Sequence, residues 1–340
     1  MEFALDTFGD VTRGPDGVLL PQDQVLRDVV EQAVLADQTG VDAFALGEHH
    51  RDDFAVSAPE ILLANIAAKT GRIRLGTAVT VLSTDDPVRL YQRFSTLNAL
   101  SGGRGEVILG RGSFTESYPL FGHDLRDYEM LFEEKLDLFT RINRGGAVAW
   151  SGRHRPPLDV PAVYPPAGPD GIRTWVGVGG SPESVARAVR HDLPMMLAII
   201  GGDPRRFRPY VQLYHAGYEQ AGRTPKPLGV HSPGFIAETD EAARAIAWTG
   251  YKALHERLAR ERRWPPMTRD AFVAEVEQGS QYVGSPETVA RRIVDTVRAL
   301  RVQRFELKYS SGPTPHADLM RSVELYGRRV IPLAREMLAG

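Results

Sequence analysis

The chain contains no cysteine. Disulfides, zinc–thiolate sites, iron–sulfur clusters and thiol nucleophiles are excluded at once. Positive charge is not in surplus either: 41 Lys and Arg stand against 43 Asp and Glu, for a net charge of -2. Neither nucleic acid nor an anionic membrane is expected as a partner. Long apolar runs are missing too. The longest strongly apolar stretch, Pro194 to Ile200, is far too short to span a bilayer. The opening MEFALDTFGD has no basic or apolar leader region, so no signal peptide is expected and a cytoplasmic protein is the default. What is present is 340 residues, 42% hydrophobic and 25% charged, the make-up of a soluble globular chain with a large core.

Short apolar stretches alternate with longer amphipathic ones. The pattern predicts strands at Glu2–Thr7, Ala43–Gly47, Ile73–Val81, Gly105–Leu109, Thr174–Val178, Met195–Ile200, Val230–Ala237 and Arg304–Tyr309. Near-continuous apolar runs of this kind suit strands buried on both faces, hence a parallel sheet. Helices are predicted at Gln22–Gln38, Ala58–Lys69, Pro87–Leu100, Tyr128–Ile142, Pro182–Arg190, Pro204–Gln220, Asp240–Leu258 and Pro286–Leu300, with a last one over His316–Leu338. Eight strand–helix units are the count of a (β/α)₈ TIM barrel, an α/β fold. The expectation is a single domain over residues 1–340, with loop insertions near 151–173 and 259–283. The proline-rich RPPLDVPAVYPPAGPD from Arg155 to Asp170 is read as irregular loop.

In a barrel, function sits beyond the strand C-termini. The second predicted strand runs into Glu48-His49-His50. As a metal site this is poor, because adjacent residues of an extended chain point to opposite sides, and no helical His-x-x-x-His pair completes a set. Two readings remain: a general base or hydrogen-bond donor at the strand end, or a structural role with Glu48 paired to an arginine. The fifth strand runs into Gly179-Gly180-Ser181 and a helix begun by Pro182. Bare amides, a helix N-terminus and the hydroxyls of Ser181 and Ser184 can hold an anion; Ser181 as an ordinary N-cap is the alternative. A second copy, VGSPETVARRI from Val283 to Ile293, shows that part of the pattern is generic helix-start chemistry. It is no dinucleotide fingerprint, since Pro182 stands where the third glycine belongs. Arg111, between glycines after the fourth strand, can reach a phosphate or lie in a surface turn. Phe114, the pair Gly201 and Gly202 after the sixth strand, and Lys308 and His316 around the last loop are further pocket candidates. For Lys308, snorkelling from the rim is the better reading.

Those residues, in the stretches GEHHRDDF, RLGTAVTVLSTDDPVRLYQ, SGGRGEVILGRGSF, YPLFGHD, VGGSPESVARA and SSGPTPHADLMRS, resemble the bacterial luciferase-like, flavin-dependent monooxygenase family over nearly the whole chain. The resemblance implies a (β/α)₈ fold and FMN, its reduced form supplied by a separate reductase. It implies oxygenation of a small organic substrate by O₂ through a C4a-(hydro)peroxyflavin, and a homodimer. It places Arg111, Ser181, Ser184 and the Gly179–Gly180 backbone at the phosphate, and Ala78 and Val79 under the flavin ring at a non-proline cis peptide. It makes His49 the catalytic histidine, with Glu48 and His50 as its neighbours. Gly110 replaces the reactive cysteine of luciferase, so light emission is not expected, and Glu129 stands where luciferase has a second phosphate-contacting arginine. A deazaflavin-dependent hydride-transfer enzyme and a non-catalytic flavin-binding protein are the alternatives.

Overall fold

The computed structural model describes residues 1–263 and 265–340. Trp264, inside the second predicted insertion, lies outside the described residues. Eight strand positions form the barrel: β1 (Glu2–Thr7), β2 (Ala43–Leu46), β3 (Arg74–Thr77 with Thr80–Val81), β4 (Glu106–Gly110), β5 (Arg173–Val178), β6 (Met195–Ala198), β7 (Leu228–Ile236) and β8 (Arg304–Lys308). All pair in parallel, β1 with β8 and β2, and so on around the ring. Closure falls between β3 and β4. A Leu75–Gly105 bridge joins them below, and Thr80–Leu109 and Val81–Gly110 pairing joins them above. The predicted third strand is therefore interrupted, and the break is a cis peptide between Ala78 and Val79.

Pleating sends alternate residues to opposite faces. The outward residues of β8, Phe305 and Leu307, join the main apolar core beneath the helices, with Phe3 and Leu5 of β1 and Val107 and Leu109 of β4. The other set points into the lumen, and much of it is charged: Arg304 is fully buried, with its guanidinium on Glu106 and, at 2.6 Å, on Glu306 Oε2. Burial raises the Glu306 carboxyl to about 7, against the pull of Arg304. A small separate apolar cluster of Ile108, Trp175 and Met196, with Val79 against it, fills the rest of this layer. Strands read as apolar on both faces are thus apolar outward and partly ionic inward.

Helices fill the gaps nearly as predicted, with Pro87–Leu100, Pro182–Arg190 and Pro286–Leu300 matching to the residue. Each of the three carries proline at its first position and a capping side chain, Asp86, Ser181 or Ser285, that accepts backbone N–H bonds. The first insertion is not wholly irregular: Val148–Trp150 and Leu158–Val160 pair as an antiparallel hairpin, the prolines falling before and after the second strand. The second contains a helix, Arg269–Glu277, and a strand, Tyr282–Gly284, that pairs with the end of β7. Among the described residues, no helix is long and apolar enough to cross a membrane.

Candidate active site

The end of β2 splits its three polar residues between two directions. Glu48 turns toward β3, where Val81 N–H donates to its Oε2 at 2.8 Å. His50 Nε2 lies 2.9 Å from Glu48 Oε1, so the expected arginine partner of Glu48 is a histidine instead. His49 goes the other way, into an aromatic wall: its ring lies 4.4 Å from Phe8, 4.7 Å from Phe54 and 4.9 Å from Phe114, centroid to centroid. Burial, then the positive charge of Lys308, lower its pKa to about 3, with Asp10 pulling back and Arg51 adding a smaller push down. His49 is therefore neutral at any ordinary pH, able to accept a proton or to donate its one N–H.

Lys308 does not snorkel. It is buried, with Nζ 3.1 Å from Asp10 Oδ2 and 4.4 Å from the Phe8 ring centroid. Asp10 also accepts from Ser310 Oγ at 2.6 Å and from Gly312 N–H at 2.8 Å. The rim at β1 and β8 is thus tied by a buried ion pair under the His49 wall. Sequence patterning missed it because Asp10 and Lys308 lie 298 positions apart.

Next along the rim, Ala78–Val79 interrupts β3, and the Val79 side chain leans over β4 and β5. A Cβ on Gly110 would meet Val79 Cγ2 at 2.5 Å. Glycine at 110 is what lets Val79 occupy that place.

At the ends of β4 and β5 lies a polar cradle. Arg111 Nη2 donates to Ser184 Oγ at 3.0 Å, and Ser184 Oγ is 2.9 Å from Ser181 Oγ. Ser181 caps the Pro182–Arg190 helix, and Gly180 before it takes a φ of 104°, open to glycine but not to ordinary residues. The Arg111 loop is pinned by Tyr118, whose hydroxyl donates to the Arg111 carbonyl at 3.1 Å, and by Tyr128, which donates to the Gly112 carbonyl at 3.0 Å. The guanidinium also lies over the Tyr128 ring, 5.3 Å from its centroid. Glu129, on the first turn of the next helix, pairs with Arg111 and, at 3.0 Å, with Arg187. Arg187 was not singled out in the sequence; its i+3 spacing from Ser184 is the signal that could have found it.

The second copy of the helix-start pattern shows what such a cradle binds. There Ser285 N–H and Thr288 Oγ1 donate to the Asp240 carboxylate at 2.6 and 3.0 Å. That cradle holds an anion from its own chain. At the first copy the corresponding hydroxyls face a guanidinium, a combination suited to an anion from outside.

The remaining candidates are dispersed. Phe114 stands in the His49 wall. Gly202 N–H donates to the Glu275 carboxylate at 2.9 Å, and Gly201 offers its carbonyl to Arg206 at 2.6 Å. Gly202 and Glu275 line a mixed-charge cleft of about 980 Å³ that contains none of the predicted catalytic or cofactor residues. His316 pairs with Gln32 at 3.0 Å and Glu31 at 3.2 Å, both on the first helix, Gln22–Thr39. It ties two helices together and does not join the His49 wall. A buried trio, Asp6, His231 and Glu306, brings three potential ligand atoms within 4.8 Å of one another in the lumen. Burial opposes a charge on His231, yet the Asp6 carboxylate, 3.0 Å away, raises its pKa.

His49, Ala78–Val79, Arg111 and Ser181 thus follow one another on β2, β3, β4 and β5, four neighbouring strands. At roughly 4.8 Å per strand step, the three steps spread them over about 14 Å of the rim.

Comparisons with known proteins show the family and the fold. The family model for luciferase-like monooxygenases matches residues 5–304. The uncharacterized protein y4wF of Sinorhizobium fredii (strain NBRC 101917 / NGR234) is 32% identical over 296 residues, 85% of this chain and 86% of that protein. Among solved structures, the monooxygenase RslO1 from Streptomyces bottropensis superposes with a TM-score of 0.85 at 23% identity, covering 98% of this chain and 99% of its own. The oxygenating constituent of 3,6-diketocamphane monooxygenase from Pseudomonas putida, solved in complex with FMN, does so with a TM-score of 0.79 at 20% identity, covering 98% of both chains. The two structures share the fold, and the family match over most of the chain decides the rest: this protein belongs to the luciferase-like monooxygenases.

Proposed function

We propose that the protein is an FMN-dependent monooxygenase that uses reduced FMN and O₂ to oxygenate a small organic substrate. The observation that carries the reading is the Arg111–Ser181–Ser184 cradle, set two to three strands from a neutral His49 in an aromatic wall. The internal control supports the fit, since the matching helix start at Ser285 already holds a carboxylate.

When bound, reduced FMN would supply the two electrons that activate O₂, one oxygen atom of which passes to the substrate while the other leaves as water. Everything else falls to this chain's residues. Arg111 and the two serines would bind the phosphate by charge-assisted hydrogen bonds, with the Gly179–Gly180 backbone beside them. Ala78 and Val79 would support the ring. Phe8, Phe54 and Phe114 would exclude water from the reacting face. His49, held neutral, would take or return a proton there; Glu48 and His50 fix the loop that presents it. In the same reading the partners are a flavin reductase, O₂, the substrate and a second copy of the chain, which acts as one domain.

The test is a titration followed by oxidation. Fluorescence titration should show FMN binding more tightly than riboflavin, and Arg111→Ala should weaken FMN by about 10- to 100-fold, the worth of a charged hydrogen bond. Riboflavin should be little affected. Mixing the photoreduced FMN complex with O₂ should give a flavin reoxidation rate and H₂O₂ yield that change in His49→Ala. Binding of a deazaflavin with no binding of FMN would turn the assignment to hydride transfer. Flavin binding with no effect on oxygen reactivity would leave only a binding protein.

A further inference from the structure

The barrel lumen and its rim carry more negative charge than their own cations balance. Asp6, Asp10, Glu106 and Glu306 are buried there, against Arg304 and Lys308. Arg173 and Glu2, at the lower end, pair with each other. Counting His231 as neutral, two negative charges are left over in a space closed to water, where uncompensated charge is costly. The surplus gathers at one point. Asp6 on β1, His231 on β7 and Glu306 on β8 come from three adjoining strands: Glu306 is the register partner of both His231 and Ala4, and Asp6 stands two residues above Ala4. Asp6 and Glu306 have no exposed surface. Among the described residues, neither Asp6 oxygen has a hydrogen-bond partner, and Glu306 Oε1 has none, its Oε2 being held by Arg304 at 2.6 Å. Asp6 Oδ2 lies 3.0 Å from His231 Nδ1 without forming a hydrogen bond. One donor atom from each of the three residues lies within 4.8 Å of the others. Two ligands bound at about 2.1 Å to one ion stand roughly 3.0–3.4 Å apart. Asp6 and His231 are already at that spacing, and a side-chain shift of about 1–1.5 Å brings in Glu306.

We propose that Asp6, His231 and Glu306 form a structural site for a divalent transition ion, Zn²⁺ by preference. Two carboxylates and an imidazole are the oxygen and nitrogen donors that Zn²⁺ takes, whereas Mg²⁺ and Ca²⁺ are held by oxygen ligands. The two charges of the ion equal the surplus of the lumen. The three ligands join the first barrel strand of the chain to its last two, so the binding free energy of the ion is folding free energy. The site is independent of the flavin reading.

The experiment uses the full chain without an affinity tag. The protein is unfolded in urea with EDTA, refolded either in EDTA or in excess Zn²⁺, passed through gel filtration, and its metal counted by mass spectrometry. About one Zn²⁺ per chain should be retained, and the thermal midpoint should lie at least about 3 °C above that of the protein refolded in EDTA. Asp6→Asn, which keeps the shape and removes the charge, should lose both the retained ion and the shift. His316→Ala is the control, because Asp28, Glu31 and His316 form another group of possible ligands, outside the barrel; this variant should keep both. If Asp6→Asn does not fold, the wild type and His316→Ala decide. No retained Zn²⁺ and equal midpoints in the wild type overturn the site, and protons on His231 and Glu306 then balance the lumen. Retention that survives in Asp6→Asn, or that is lost in His316→Ala, overturns it as well, since the ion then sits elsewhere.

Discussion

His49 carries the clearest consequence at the level of single residues. Its pKa is about 3 in the folded protein, below its ordinary value of 6.5. As pH falls through 6.5 the unfolded chain takes up a proton that the folded chain refuses, so stability is lost progressively down to about 3. His49→Gln removes that proton-binding difference. Between pH 7 and pH 5 the wild type should lose about 2 kcal/mol more than the variant, as read by urea unfolding at each pH. Equal losses would mean that the wall does not hold the ring neutral. Gly110 gives a second prediction. Gly110→Ala drives a methyl against Val79 at 2.5 Å and should cost about 1–3 kcal/mol as overpacking. The double variant with Val79→Ala should recover most of it, and additivity in thermal melts would sink the idea. That glycine was legible as a departure from the resembled family, but its reason was not. The contact depends on where a side chain 31 positions away points.

Elements were read most safely where local chemistry and burial agree. Pro87–Leu100 and Pro286–Leu300 combine a capping side chain, a proline and an apolar face, and all three signals lie within one stretch of chain. β3 was read as one strand because Ile73–Val81 is largely apolar and rich in β-branched residues, and hydropathy does not register a peptide turning over at Ala78–Val79. β8 was read among strands buried on both faces, and it is buried throughout. RFELK alternates charge and apolar residues, the pattern of a strand with one wet face; here the charged face is sealed in the lumen. Arg304 is the keystone of that seal. Arg304→Met leaves Glu106 and Glu306 buried without their shared partner and should cost about 3–5 kcal/mol. Adding Glu106→Gln and Glu306→Gln should restore a large part of it. Urea midpoints of the single and triple variants decide the matter, and an undisturbed single variant would show that the lumen charges are solvated.

Across the whole molecule, the topology followed from counting alternating units, and the rim positions followed from the topology. What stayed hidden were ties between distant segments. Arg51 beside His49 is held by Asp53, by Glu116 and by Glu261 at the far end of the Asp240–Arg262 helix. No periodicity connects residues 210 positions apart. Surface charge of this sort reads as solvent-facing until the fold closes it into a network. The arrangement of the rim has one more consequence. The proposed cofactor contacts run over β2, β3, β4 and β5 without a gap, leaving the arc from β6 to β8, with the 259–283 insertion above it, outside that role. Changes there can alter the shape of what enters while the cofactor's grip stays as it is. A scaffold divided in this way can acquire a new substrate through mutations on one arc alone, and its descendants would share a cofactor long after they ceased to share a reaction.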